Sequence, residues 1–172
     1  GNSISLYVSI TLSKTNFTCT DANGTPQSVT LTVIDASGNS ASCNATVTVV
    51  DTIVPVAQCK NVTLDLNAAG SATLLASAID NGSTDNCGIA TRTVSPSSFT
   101  CANVGNNTVT LTVKDASNNT STCTATVTIR DLIVPTAICK NISVNLDNTG
   151  SAVITPAMID NGSSDNCGSV TL

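Results

Sequence analysis

Apolar and polar residues alternate almost without interruption over 108–113, Thr-Val-Thr-Leu-Thr-Val, and again over 124–129, Thr-Ala-Thr-Val-Thr-Ile. In an extended strand successive side chains leave opposite faces, so this period of two lines a core with Val, Leu and Ile and turns Thr to water. The same pattern predicts strands at 61–66, 71–79, 89–94, 108–114 and 120–129. Asn-Gly, Asp-Asn and Ser-Pro clusters divide them, and no segment carries a helical period. Strands with one buried and one solvated face, joined by short turns, predict an antiparallel sandwich. Short strands in about 80 residues, with turn signals every 8 to 12 or so, suit an immunoglobulin-like arrangement.

The pattern recurs. Val-Thr-Leu-Thr-Val-Ile-Asp-Ala-Ser-Gly-Asn at 29–39 returns as Val-Thr-Leu-Thr-Val-Lys-Asp-Ala-Ser-Asn-Asn at 109–119, 80 residues later. Asp51-Thr52-Ile53-Val54-Pro55 maps in the same way onto Asp131-Leu132-Ile133-Val134-Pro135, Cys59 onto Cys139, and Cys87-Gly88 onto Cys167-Gly168. Phe17-Thr18-Cys19 returns at Phe99-Thr100-Cys101 with an offset of 82, so the loop after this Cys tolerates a small length change. A fixed period of this length marks tandem units. The expected organisation is the C-terminal half of a repeat at 1–50, a complete repeat at 51–131, and the N-terminal half of the next at 132–172.

Two explanations account for ends that fall in mid-repeat. Either the chain is a window on a longer polypeptide, or copies assemble head to tail with one copy's second half completing the next copy's first. The window is preferred, because 168–172 and 1–6 would fill the same place twice if copies were simply joined. Unpaired strand edges keep the second explanation open.

Composition then narrows the chemistry. The chain of 172 residues has no His, no Trp, one Tyr and two Phe, and its acidic residues are all Asp, with none of them Glu. Lacking the commonest general acid and base, it is not expected to be an enzyme. A net charge of -5 argues against nucleic acid as a partner. No stretch approaches the roughly 18 apolar residues that span a bilayer as a helix. Eight Cys without His and without Cys-x-x-Cys spacing read as disulfides rather than a zinc site, which places the protein in an oxidising, extracellular or cell-surface setting. Four Cys per complete repeat allow three connectivities. A purely local scheme would join Cys19 with Cys43 and Cys139 with Cys167.

These marks together resemble the hyalin-repeat (HYR) family of immunoglobulin-like modules, common in secreted and surface proteins of Bacteroidota-type bacteria. The resemblance rests on Asp51 through Pro55 followed by Cys59, on Asp85-Asn86-Cys87-Gly88, on Phe99-Thr100-Cys101, and on Asp115-Ala116-Ser117-Asn118-Asn119 leading to Cys123. It implies an all-β fold of tandem sandwiches in a linear array. Two-Cys relatives imply a Cys59–Cys123 bridge, which leaves Cys87 with Cys101 and gives Cys19, Cys43, Cys139 and Cys167 partners only in neighbouring units.

Laid on that strand order, Asp51, Asp80, Asp85 and Asp115 gather at the pole facing the preceding repeat. Their repeat-mates are Asp35, Asp131, Asp160 and Asp165. Crowded carboxylates repel unless a cation joins them. Ca2+ takes 6 to 8 or so oxygen ligands, and Asn81, Asn86, Asn118 and backbone carbonyls could complete such a set. The competing reading is that Asp and Asn stand here as turn formers. Glycosylation candidates are Asn16, Asn44, Asn61, Asn118 and Asn141 in Asn-x-Ser/Thr sequons, with Thr52 in an Asp-Thr-aliphatic context. The expectation is a structural fibre or adhesive stalk whose partners are neighbouring repeats, further copies of itself, or surface glycans. The alternative is a spacer or carbohydrate-binding module attached to a secreted enzyme or adhesin.

Overall fold

The computed structural model describes residues 9–168. Its elements are β1 (Ser9–Leu12), β2 (Gln27–Ile34), β3 (Ser40–Val47), β4 (Val62–Asp65), β5 (Ser71–Thr73), α1 (Ala76–Ile79), β6 (Ile89–Ser95), β7 (Ser98–Thr100), β8 (Gly105–Asp115), β9 (Thr120–Arg130) and α2 (Pro156–Ile159). The chain packs as two units. One holds 9–56 together with Ser83–Thr91 and Val113–Ser121, and the other holds Ala57–Gly82, Arg92–Thr112 and 122–168.

In the first unit, β1, β2 and β3 form an antiparallel sheet in that order, with Ser9 opposite Ile34 and Gln27 opposite Val47. The loops 83–91 and 113–121 of the middle repeat pack in this same unit as the preceding half repeat.

In the second unit the alternation of β8 and β9 takes effect. Val109, Leu111, Val127 and Ile129 are fully buried, with Leu66, Leu74, Ile79 and Phe99 closing the core. The sheet order is β4-β9-β8-β6, with β5 and β7 as a second, two-stranded sheet. The result is an all-β, sandwich-like repeat.

Three expectations change. The sandwich is not wholly antiparallel, because β4 pairs with β9 in parallel, Val62 opposite Val127 and Asp65 opposite Arg130. A repeat whose first and last strands are neighbours running the same way takes in the chain at one pole and releases it at the other. The segment 71–79 is not one strand: β5 ends at Thr73 and α1 follows. Leu74 and Ile79 are both buried, yet five positions apart they fall on opposite faces of a strand, so a helical turn is needed to bring both into the core. The short strand β7 carries Phe99 into the core within three residues, too few for alternation to reveal. Among the described residues no helix is long and apolar enough to cross a membrane.

Candidate metal centre

Asp51, Asp85 and Asp115 each place a carboxylate oxygen so that all three lie within 4.8 Å of one another, inside the first unit. Three separate segments bring them there. Asp51 precedes the extended Thr52-Ile53-Val54-Pro55 linker, and its Oδ1 accepts from the Ile53 amide at 3.0 Å and from Asn86 Nδ2 at 3.3 Å. Asp85 opens the Asp-Asn-Cys-Gly turn, its Oδ2 accepting from the Cys87 amide at 2.8 Å. Asp115 ends β8 and is only 1% exposed. Its two oxygens accept from the amide and the side chain of Asn119, both at 2.7 Å.

These turn contacts leave Asp51 Oδ2 and Asp85 Oδ1 buried without a hydrogen-bond partner. A buried carboxylate oxygen without a donor is costly, and three such groups this close repel one another. No Lys or Arg pairs with any of them among the described residues, whose ion pairs are Lys14 with Asp21, Arg92 with Asp80 and Arg130 with Asp65. The oxygens are hard, anionic and convergent, which suits Ca2+ better than a soft or nitrogen-seeking ion. Beside them, Ala22, Gly24, Val50, Asp51, Ser117 and Asn118 line a cavity of about 280 Å³.

Of the other residues expected here, Asp80 does not join. It caps α1, and its carboxylate takes the Arg92 guanidinium at 2.9 Å. Asn81 lies in the second unit, its amide bonded to the Gln58 carbonyl. Asn86 contributes its amide nitrogen, a donor, to Asp51. Asn119 has a role that its sequence position alone did not mark: its side chain also donates to the Asp51 carbonyl at 3.0 Å, tying linker to hairpin. The recurrence of Asp and Asn four residues apart, Asp35 with Asn39 and Asp115 with Asn119, was the available signal.

The neighbouring repeats hold fragments of the same arrangement. Asp35 accepts from Asn39 through both its amide, at 2.8 Å, and its side chain, at 2.9 Å. That side-chain bond is the main cause holding the Asp35 carboxyl below its ordinary range. Asp131 accepts from the Ile133 amide and Asp165 from the Cys167 amide, and Asp165 Oδ1 is again buried and unpartnered. Asp160, the counterpart of Asp80, is held by Ser163 instead.

Three disulfides are formed: Cys59–Cys123, Cys19–Cys87 and Cys101–Cys167. Cys87 and Cys101 therefore do not pair with each other, and neither do Cys19 with Cys43 or Cys139 with Cys167. Cys43 and Cys139 are free and exposed. The reason lies in the packing, since Cys19 and Cys87 meet within the first unit and Cys101 and Cys167 within the second. Each of these two bonds joins a repeat to its neighbour.

Among the glycosylation candidates, Asn44 accepts from the Thr30 hydroxyl, Asn61 accepts from the Thr126 amide, and Asn118 stands in the turn before β9 with a positive φ of 74°. Thr52 is exposed. The family model of the HYR domain matches residues 50–129. No curated protein matches the chain.

Proposed function

With residues 50–129 a HYR domain, we propose that the protein is a non-enzymatic extracellular structural protein. Its immunoglobulin-like repeats stand in tandem as a fibre or adhesive stalk, tied by disulfides and stiffened by Ca2+ at the junctions. The domain family and the three disulfides together point to an extracellular or surface location.

The observation that supports this reading best is the pair Cys19–Cys87 and Cys101–Cys167. They are the same bond one repeat apart, and each adds a second covalent connection to a junction that the main chain already crosses. A junction held at two points resists bending in a way that a single peptide linker does not. The Asp51, Asp85 and Asp115 cluster lies in the unit that holds the Cys19–Cys87 bond, so a cation there would lock the linker to two loops of the repeat. The composition offers little for sugar stacking, since Phe99 is core and Phe17 is half-buried beneath the Lys14 ammonium.

Calcium titration of the chelator-treated chain by calorimetry tests the metal, with electron microscopy of the assembled material testing the array. The expected result is one site per complete repeat, with Kd of about 0.1 to 1 mM as in extracellular modules, and filaments that become more flexible on chelation. No calcium heat, or heat unchanged by Asp115→Asn, refutes the metal. Particles that remain dispersed at high concentration refute the fibre.

A further inference from the structure

Two features of the first unit share a single turn. Asp85 carries a carboxylate of the cluster, Cys87 carries the disulfide to Cys19, and only Asn86 stands between them. Their contacts interlock. Asp85 Oδ2 accepts from the Cys87 amide at 2.8 Å, so the carboxylate cannot swing away without losing its bond to the residue that holds the sulfur. Asn86 Nδ2 lies 3.3 Å from Asp51 Oδ1 and 3.4 Å from Cys87 Sγ, and the Asn86 carbonyl oxygen lies 3.5 Å from Cys19 Sγ. The turn that presents the buried, unpartnered Asp85 Oδ1 to Asp51 and Asp115 is therefore anchored by a covalent bond one residue beyond its contact with Asp51. Without a cation, that same bond holds three carboxylates together against their repulsion. The bond Cys59–Cys123 has no such tie, since both its cysteines belong to the second unit and all three carboxylates to the first.

Resting on the calcium reading above, we infer that the Cys19–Cys87 disulfide regulates the Asp51, Asp85 and Asp115 site and is regulated by it: forming the bond raises calcium affinity, and bound calcium makes the bond harder to reduce. Linkage requires the two effects to be one and the same factor. The first effect is preorganisation, because a turn already fixed beside Asp51 and Asp115 has less freedom to lose when the ion arrives. The second is its mirror. Reduction lets Asp85 move away from the other two carboxylates, which relieves repulsion in the empty site but breaks a ligand set in the occupied one. The step itself is thiol–disulfide exchange with a low-molecular-weight dithiol: the protein disulfide takes two electrons and two protons and becomes two thiols, while the dithiol closes to its own cyclic disulfide. The junction therefore closes fully only where the surroundings are both oxidising and rich in calcium, and each condition protects what the other has made.

The test equilibrates the full chain across ratios of reduced to oxidised dithiothreitol, once in chelator and once in calcium well above its dissociation constant, with ionic strength matched by NaCl. Alkylation of the trapped thiols and peptide mapping then read each disulfide separately. Calcium is expected to move the Cys19–Cys87 midpoint to a dithiothreitol ratio about tenfold more reducing, which is about 30 mV for a two-electron couple, and to move Cys59–Cys123 less than about twofold. Calorimetry on the chain carrying Cys19→Ser and Cys87→Ser should show calcium affinity lowered by the same factor. Should that variant fail to fold, the comparison of two bonds within the native chain decides alone. Equal shifts of both bonds, as general stabilisation of the fold would give, or an unmoved Cys19–Cys87 midpoint in a chain that binds calcium, overturn the inference and leave the calcium reading standing. No calcium heat from the oxidised native chain defeats that reading itself, and the coupling with it.

Discussion

Replacing Asp85 by Asn separates a carboxylate that holds a cation from one that only forms a turn. Asn keeps an oxygen for the Cys87 amide, which Asp85 Oδ2 now accepts at 2.8 Å, so the turn survives. What changes is the second oxygen, buried and unpartnered beside Asp51 and Asp115, which becomes an NH2 donor facing two acceptors. Two unit charges at the outer limit of 4.8 Å within which these oxygens lie repel by about 3.5 kcal/mol at an effective dielectric of about 20. The substitution removes two such pairs, about 7 kcal/mol before screening. Asp51 and Asp85 are only partly buried, so salt and water remove more than half of this, leaving about 2 kcal/mol in favour of the variant when no metal is present. For a repeat of about 80 residues that is roughly 10 °C in Tm.

Calcium reverses the comparison. At about 2 mM, a site with Kd of about 0.1 to 1 mM adds about 0.6 to 1.8 kcal/mol to the native chain and nothing to the variant. Calorimetric melting of both proteins, in chelator and in calcium, reads the four values. The variant is expected to melt higher in chelator, with the gap closing in calcium because only the native chain responds. If Asp85 is a turn former alone, Asn replaces it with little change and calcium moves neither protein. That outcome, or a variant that melts lower than the native chain in chelator, refutes the reasoning.

Two further outcomes follow from local geometry. Gly70 has a φ of +69°, and a Cβ on it would meet Cys101 Sγ at 2.6 Å and the Asn166 carbonyl at 3.1 Å, whereas its repeat-mate Gly150 has nothing within 4 Å. Gly70→Ala should therefore cost about 1 to 2 kcal/mol for backbone conformation plus the clash and hinder the Cys101–Cys167 bond, while Gly150→Ala costs the backbone part alone; thiol counting and melting compare them, and equal effects reject the account. The carboxyls of Asp35, Asp147 and Asp160 are held below their ordinary 3.8, chiefly by hydrogen bonds from Asn39, Thr149 and Ser163. Depressed folded values mean that their stabilisation is present above the unfolded value and is lost as pH falls through the folded ones, so acid titration followed by circular dichroism should show structure persisting to about pH 4 and weakening below it, and loss between pH 6 and 4 counts against these bonds.

The strands β8 and β9 were legible because each buries one face, and a buried face imposes alternation on sequence; β4 follows more weakly, with half-buried and exposed positions in turn. Where burial obeys another geometry the pattern misleads. Leu74 and Ile79 enter the core from a strand end and a helical turn, and a period of two cannot express that. Asp51, Asp85 and Asp115 could be gathered from strand order because all three loops belong to one pole. Asp80 could not be separated from them, since its place depends on the α1 turn and on Arg92, a partner 12 residues away. The pairing of Cys87 with Cys101 followed from closing the account inside a single repeat.

Yet the repeat itself held the correct answer. Cys19 is the mate of Cys101 and Cys87 is the mate of Cys167, so any bond that crosses one boundary must reappear at the next, and Cys19–Cys87 and Cys101–Cys167 satisfy that condition. A bond inside each repeat, Cys59–Cys123, fixes the first strand beside the last. A bond across each boundary leaves no repeat attached by its linker alone. The main chain from Val50 to Val56 therefore has a parallel covalent route, and separating the repeats at this boundary requires breaking a disulfide as well as unpacking a loop. An aliphatic core in which Phe99 is the one fully buried ring among the described residues is thus supplemented by covalent bonds at both levels, within the repeat and between repeats.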